Sequence, residues 1–447
     1  MDIICFTSVR KLPTLQQLQV HPSFSNAFIP HHPPPLTPHP LPLTPHPNKE
    51  VIAMKKVMFY CQYLAGMGHL VRSTEIVRSL MKDFQVCFVN GGQPIYGFEF
   101  PASVEVVHLP PILEVAGQLA AVEPSQCIEA VKENRKDQLL QVFEQFQPDC
   151  LIIECFPFSK HKLKFELLPL LDRALTASTQ IVCSLRDLIM TQTLAATARA
   201  KRYDKVRDLV NQYFDLVLIH SDPQVQRLEE QLPNVDQLNC AIYYTGYVAQ
   251  SPPERVPLDA NDTAYLSSDR PMIVASAGGG RFGYELLNAV ANASQRLADQ
   301  IPHQFHIFTG PFMLDDQVAA LEAAACENLV IRRFTPHLIQ YLERADLSIS
   351  LGGYNTTMNI LRTGVRSLIF PAASEEQTGE QTIRAEKLAQ KGILDVLTTA
   401  DLQPERLAEK ILTALQRPPA SHSFDLRGAE KSADRIKQLL DDVTVAA

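Results

Sequence analysis

Gly352 and Gly353 follow an apolar run and stand directly before Tyr354, Asn355, Thr356 and Thr357, an order of residue types suited to capturing a diphosphate. Glycines after a strand let the backbone approach a ligand. The start of a helix then offers N–H groups without intrahelical partners, and Thr hydroxyls add further donors. A second apolar run over 365–371 leads to a Glu/Gln-rich segment and a helix carrying Glu380 and Gln381, whose side chains can bind sugar hydroxyls. Upstream, Gly278, Gly279, Gly280 and Arg281 also lie between a strand pattern and a helix pattern. The N–H groups of such a loop can surround an anion, with Arg281 balancing its charge. A tight turn also explains the three glycines, and a solvated helix face explains Glu380 and Gln381 in isolation.

A base is available in the other half of the chain. Gly66, Gly68, His69 and Arg72 open a helix after the first strand pattern. A histidine fixed at a helix N-terminus is kept neutral by the helix dipole and can accept a proton, although a lone loop histidine can also merely cap or pack. The loop lacks the third glycine of a dinucleotide fingerprint, and Asn90, Gly91 and Gly92 stand where an acidic residue would follow the second strand, which disfavours nicotinamide binding. Glu154, Arg186 and Asp187 each end or follow a parallel-strand pattern, where such sheets place ligands, and together with Gly66, Gly68 and Arg72 they are candidates for the side that binds a second substrate, the acceptor. The run from Lys160 to Phe165 could meet an anionic lipid or a phosphate, or simply begin a solvated helix. With no Asp-x-Asp motif in the chain, neither a metal nor a cofactor is expected.

Short apolar runs alternate with amphipathic stretches from Lys55 onward, the pattern of parallel sheets covered by helices on both faces. A Pro-rich, polar segment divides two such series. The expected organisation is an N-terminal Rossmann-like domain over 54–250, a linker over 251–270, a second domain over 271–420, and a terminal helix over 421–447 that packs back across both. Residues 1–53 contain a repeated proline- and histidine-rich unit and are expected to be a disordered extension, with a natural protein start at Met54. A 447-residue chain with 46% hydrophobic content and a net charge of −8 is an ordinary globular composition and argues against a nucleic-acid binder. The nine cysteines are scattered without a C-x-x-C pair, so Cys61, Cys87, Cys150, Cys155 and Cys183 are expected as reduced core residues of a cytoplasmic protein.

The stretch from Ser350 to Gly392 resembles the donor-binding half of the GT-B glycosyltransferases, closest to family 28, which includes the UDP-N-acetylglucosamine transferase of peptidoglycan lipid II synthesis. The resemblance extends over most of the chain from Lys55 to Val443. It implies an α/β fold of two doubly wound Rossmann-like domains facing a central cleft. It also implies transfer of a hexosyl group, N-acetylglucosamine or a relative, from a UDP-sugar to a hydroxyl acceptor, with inversion and without a metal. The acceptor would be a lipid or a small molecule, with peripheral contact at the inner face of a membrane in the first case. By the same resemblance His69 is the base, the glycine loop at Gly278–Gly280 faces the diphosphate, Phe334 contacts the nucleobase, and Glu380 with Gln381 holds the donor sugar. The family's ribose-binding glutamate falls at Asn359, five residues before Gly364. An amide there lacks a carboxylate's charge-assisted hydrogen bonds. A nucleotide-sugar hydrolase or epimerase on the same fold, and a non-catalytic nucleotide-sugar-binding protein, are the alternatives.

Overall fold

Val57 to Cys61 are all buried, as are Val86 to Asn90, Cys150 to Glu154 and Leu216 to His220. Strands covered on both faces read as continuous apolar runs instead of alternating ones, and these build a parallel sheet. The computed structural model describes residues 54–446 apart from 65–66, 96–97, 116, 188–194, 253–255, 372–378 and 420. The first half contains β1 (Lys56–Cys61), α1 (Gly68–Leu80), β2 (Gln85–Asn90), β3 (Glu105–His108), β4 (Ile112–Val115), β5 (Gln118–Ala121), α2 (Ile128–Phe146), β6 (Cys150–Glu154), α3 (Lys164–Thr176), β7 (Gln180–Arg186), α4 (Ala196–Tyr213), β8 (Leu216–His220) and β9 (Ala241–Tyr244). Its sheet runs in the order β3-β2-β1-β6-β7-β8-β9, parallel throughout, with β4 and β5 forming a separate antiparallel pair.

The second half contains α5 (Ala260–Leu266), β10 (Met272–Ser276), α6 (Tyr284–Leu297), β11 (Gln304–Phe308), α7 (Asp315–Glu322), β12 (Leu329–Arg332), α8 (Leu338–Arg344), β13 (Leu347–Leu351), α9 (Tyr354–Thr363), β14 (Ser367–Phe370), α10 (Glu380–Gln390), β15 (Asp395–Val396), α11 (Pro404–Leu415) and α12 (Gly428–Ala446). Its parallel sheet has the order β12-β11-β10-β13-β14-β15. In each sheet the chain reverses its direction of growth beside the first strand, between β1 and β6 and between β10 and β13. Ligands of open α/β sheets bind in the crevice beyond the carboxyl ends of such strands. The reversal therefore puts the loop after β1 next to Glu154, and the glycines after β10 next to those after β13.

The segment expected as a linker is partly folded. Asp259 caps α5 by accepting from the Asp262 N–H at 2.6 Å, and the buried Asp262 carboxylate pairs with Arg332 and accepts from the Tyr341 hydroxyl at 2.8 Å. The prolines and polar residues that suggested an open connection hide a capped helix docked on β12 and α8. At the other end of the chain α12 packs against α1, placing Ala433, Ile436 and Leu440 in one apolar cluster with Leu70, Val77 and Phe59. The five cysteines expected in the core are free and buried. Among the described residues no helix is long and apolar enough to cross a membrane.

A buried ion pair braces the first sheet behind the site. Arg135 of α2 binds Glu166 of α3 at 2.8 and 2.9 Å, and Tyr60 donates to the same carboxylate at 2.6 Å. Arg135 also donates to the Gly91 carbonyl at 2.9 Å and to Gln62 Oε1 at 2.7 Å. A Cβ on Gly91 would lie 2.1 Å from Gln62 Oε1, so the glycine that argued against a nicotinamide site serves a packing role.

Candidate active site

The two switch points open onto one cavity of about 860 Å³ between the halves. His69, on the first turn of α1, lines it, and the ring Nδ1 lies 2.7 Å from Glu154 Oε1. Glu154 is the last residue of the neighbouring strand β6, and its side chain is fully buried. Arg72, three residues beyond His69 on the same helix face, binds the same carboxylate. With Nδ1–H donating to Glu154, the basic nitrogen of His69 is Nε2, on the opposite edge of the ring. Burial pushes the His69 pKa well below its ordinary value, against the pull of Glu154 and with Lys160 adding to the lowering. The Glu154 carboxyl is held down to about 2: burial would raise it, but His69 and Arg72 outweigh that. The site thus holds a neutral imidazole fixed by an ionised carboxylate.

Across the cavity stands the start of α9. The first bond inside this helix runs from the Thr357 N–H to the Gly353 carbonyl at 2.9 Å, so the N–H groups of Tyr354, Asn355 and Thr356 have no intrahelical acceptor. Gly353, Asn355 and Thr356 line the cavity with Gly278, Gly279, Gly280, Arg281, Phe334, Asn359, Glu380 and Gln381. Asn355 reaches over to the first half, its Nδ2 donating to the Gly68 carbonyl at 3.1 Å. The amino end of α9 consequently faces that of α1, and an anion between them would meet two positive helix ends.

His69, Glu154 and Cys155 also stand close enough together to share a metal ion. The donor set does not suit a cation. The Arg72 guanidinium already occupies Glu154 and lies 3.9 Å from the Cys155 sulfur, so a metal would sit against a buried positive charge.

Residues 276–440 match the glycosyltransferase family 28 C-terminal domain. The chain carries a family 28 domain in a GT-B fold. It is 24% identical over 214 residues to an uncharacterized glycosyltransferase of Methanopyrus kandleri, a match covering 46% of this chain and 57% of that one. It is 31% identical over 100 residues to the UDP-N-acetylglucosamine–N-acetylmuramyl-(pentapeptide) pyrophosphoryl-undecaprenol N-acetylglucosamine transferase of Streptococcus pneumoniae, covering 22% of this chain and 27% of that enzyme. The chain thus spans between about a quarter and just over half of these relatives. The crystal structure of the glycosyltransferase of kitacinnamycin superposes with a TM-score of 0.57 at 15% identity, over 86% of this chain and 99% of that one.

Within the family 28 domain several side chains do other work than their spacing suggested. Gly352 is off the cavity wall: its carbonyl accepts from Arg384 at 3.1 Å, and a Cβ added there would come within 3.2 Å of Ile369 and 3.3 Å of Gln381. Thr357 turns its hydroxyl back to the Gly353 carbonyl at 2.9 Å and is not a ligand donor. The Gly278 and Gly280 N–H groups are spent inside their own loop, on Ser276 Oγ at 3.1 Å and the Ala277 carbonyl at 3.2 Å. Gly280 is needed for another reason: its φ is +86°, and a Cβ there would come within 2.4 Å of the Thr309 carbonyl oxygen. Arg281 is exposed on the wall, and Phe334 is 43% exposed beside it. Asn359 is buried, with Nδ2 donating to Gln250 Oε1 at 2.9 Å and Oδ1 without a hydrogen-bond partner.

The residues expected to hold an acceptor divide similarly. Arg72, Glu154 and Asp187 are buried off the cavity wall. Asp187 accepts two hydrogen bonds from Arg384, at 2.6 and 2.9 Å, across the two halves. Arg186 does line the cavity, but it pairs with Glu380, so the carboxylate expected on the donor sugar is already engaged. Gly68 lines the cavity beside His69. Gly66 and the Glu/Gln-rich loop over 372–378 lie outside the described residues. The element most clearly missed by sequence reasoning is the Tyr354 ring, packed between the guanidinium groups of Arg72 at 5.2 Å and Arg384 at 5.4 Å, with its hydroxyl bonded to the backbone of Val248 and His220. No local motif marks this post, because its partners are 282 residues upstream and 30 downstream.

Proposed function

We propose that the protein is a glycosyltransferase that moves a hexosyl group, N-acetylglucosamine being the first to test, from a UDP-sugar to a hydroxyl acceptor with inversion. The observation that carries this reading is the meeting of a neutral, carboxylate-oriented histidine and an open helix N-terminus across one cavity, within a chain containing a family 28 domain. The unpartnered N–H groups of α9 and the Arg281 side chain hold the diphosphate and stabilise negative charge as UDP departs. His69 Nε2 takes the proton from the acceptor hydroxyl as its oxygen attacks the anomeric carbon. Glu154 fixes the tautomer and stabilises the imidazolium that forms. The new C–O bond forms on the face opposite the breaking C–O bond to phosphate, which inverts the anomeric centre. No step requires a metal, since helix ends and Arg281 supply the positive charge.

The test is mass-spectrometric detection of sugar transfer from UDP-sugars to lipid and metabolite extracts, in excess chelator, with wild type and His69→Ala. Transfer in chelator, a loss of about 10²–10⁴-fold in the variant, and near-normal UDP binding in both are expected. Inhibition by chelator that added metal reverses would overturn the metal-free step, and unchanged turnover in His69→Ala would remove the base. Hydrolysis of the UDP-sugar without any transfer would select the hydrolase alternative.

A further inference from the structure

On the first-half wall of the cavity lies a basic group that the donor chemistry leaves unused. Lys160, His161 and Arg202 all line the cavity. Lys160 stands in the left-handed region, at φ 61°, in the connection between β6 and the short helical turn His161–Leu163 that precedes α3. Glycine is the residue that usually tolerates this conformation, so a lysine there carries a cost that a mere connecting turn does not require. No ion pair is formed by Lys160 or Arg202 among the described residues. Arg202, on α4, spends one nitrogen on the Phe158 carbonyl at 3.0 Å, while its Nε is buried without a hydrogen-bond partner. Both ring nitrogens of His161 are likewise buried without a partner. Their neighbour Lys162 pairs with Glu114 at 2.5 Å, and Arg186 pairs with Glu380 through one terminal nitrogen while its Nε, like that of Arg202, is buried without a hydrogen-bond partner.

Buried donors without acceptors cost free energy unless a ligand supplies the acceptor. Three convergent cationic or protonatable groups with no carboxylate among them suit an anion. Resting on the transferase reading above, we propose that the hydroxyl acceptor carries a carboxylate or phosphate group, bound by Lys160, Arg202 and His161. The UDP diphosphate is served at the opposite wall by α9 and Arg281, so this group addresses a second negative charge. Binding would bring a proton onto His161. In the ligand-free protein its pKa is lowered to about 4 by burial first, and then by Arg202, Lys164 and Lys205. The cations around it come from its own turn, from α3 and from α4, and the Glu114 carboxylate of β4 is taken up by Lys162. An anion at this point reverses the local sign and favours the imidazolium.

The full-length protein, labelled with ¹³C in its histidine rings, is titrated at pH 6 with sn-glycerol 3-phosphate, D-glycerate and glycerol, with and without UDP. The His161 signal is assigned by its absence in His161→Gln. At least one anion should move that signal toward the imidazolium position, with an affinity at least about tenfold above that of glycerol. Which anion binds more tightly distinguishes phosphate from carboxylate. Lys160→Gln and Arg202→Gln should each weaken the response about tenfold or more while the other histidine signals keep their positions, which reports an intact fold. No His161 response to either anion, or a response that persists in both variants, overturns the proposal. Failure of UDP to bind in a parallel calorimetric titration would instead sink the donor reading and leave the result at His161 standing.

Discussion

His69 and Asn359 are single residues whose surroundings set the chemistry on the two walls of the cavity. Because the His69 pKa is pushed down, the neutral form that can accept a proton persists into acid. The sign follows directly: the base is active above its pKa, so lowering the pKa widens the active range on the acid side. The acid limb of kcat/KM should fall with a midpoint well below pH 6, and a midpoint at or above the ordinary histidine value of about 6.5 would show that burial does not control this ring. At Asn359 the orphaned Oδ1 is the atom to exploit. Asn359→Glu can accept from the Gln250 amide once that amide turns its NH₂ inward, and still presents an oxygen to a ribose diol. UDP should bind more tightly by about 1 kcal/mol, the difference between a neutral and a charge-assisted hydrogen bond. Calorimetry with UDP and deoxy-UDP checks this, and equal or weaker UDP binding with no added discrimination would mean that residue 359 does not reach the ribose.

At the scale of elements, the site depends on how α10 is tied to the end of β7. Arg384 grips Asp187 with two hydrogen bonds while both side chains are buried, and Arg186 holds Glu380 one turn earlier on α10. Removing one partner of a buried pair leaves the other charged and unsolvated, so Asp187→Asn should cost about 3–5 kcal/mol and weaken UDP-sugar binding through displacement of α10. Denaturant unfolding alongside UDP titration measures both, and a loss under 1 kcal/mol would relegate the pair to a passive contact. Burial would raise the Asp187 carboxyl, but Arg384 holds it below the ordinary value. The pair's stabilisation is therefore complete above the unfolded value of about 3.9 and is lost as the pH falls through the lower folded value. The strand runs and most helices were legible in the sequence because a doubly buried strand is an uninterrupted apolar run and a covering helix has a 3.6-residue period. The glycine-to-helix junction of α9 was legible for the same local reason. The pairing of Glu154 with His69 and of Asp187 with Arg384 was not, since it depends on strand order and on the docking of the halves. A carboxylate after a strand looks the same in sequence whether it faces a ligand or a guanidinium. The helix α5 was hidden because prolines and polar residues around it mask a cap whose force comes from the distant Arg332 and Tyr341.

Over the whole molecule the two sheets are joined by apolar packing as well as by ion pairs. Val225, Tyr247 and Ala249 from the first half share a buried cluster with Met272, Tyr341, Tyr354 and Met358 of the second. The chain then returns: the Tyr247 N–H donates to the Asp425 carbonyl at 2.8 Å, the Gly428 N–H donates to the Tyr247 carbonyl at 2.9 Å, and α12 lays Ile436 and Leu440 against α1 and β1. A chain that begins in one half, builds the other and finishes on the first cannot release its last helix without exposing the core of the first sheet. Ile436 is fully buried, and truncating it should cost about 2–5 kcal/mol through lost transfer energy and the cavity left behind. If the shared cluster couples the halves, that loss belongs to a single unfolding unit. Ile436→Ala should then speed hydrogen exchange of the slowest amides in β1 and in β10 by the same factor, although β10 makes no contact with α12 in the apolar cluster. Acceleration confined to β1, with β10 unchanged, would show that the halves unfold independently and that the cavity between them is held by the ion pairs alone.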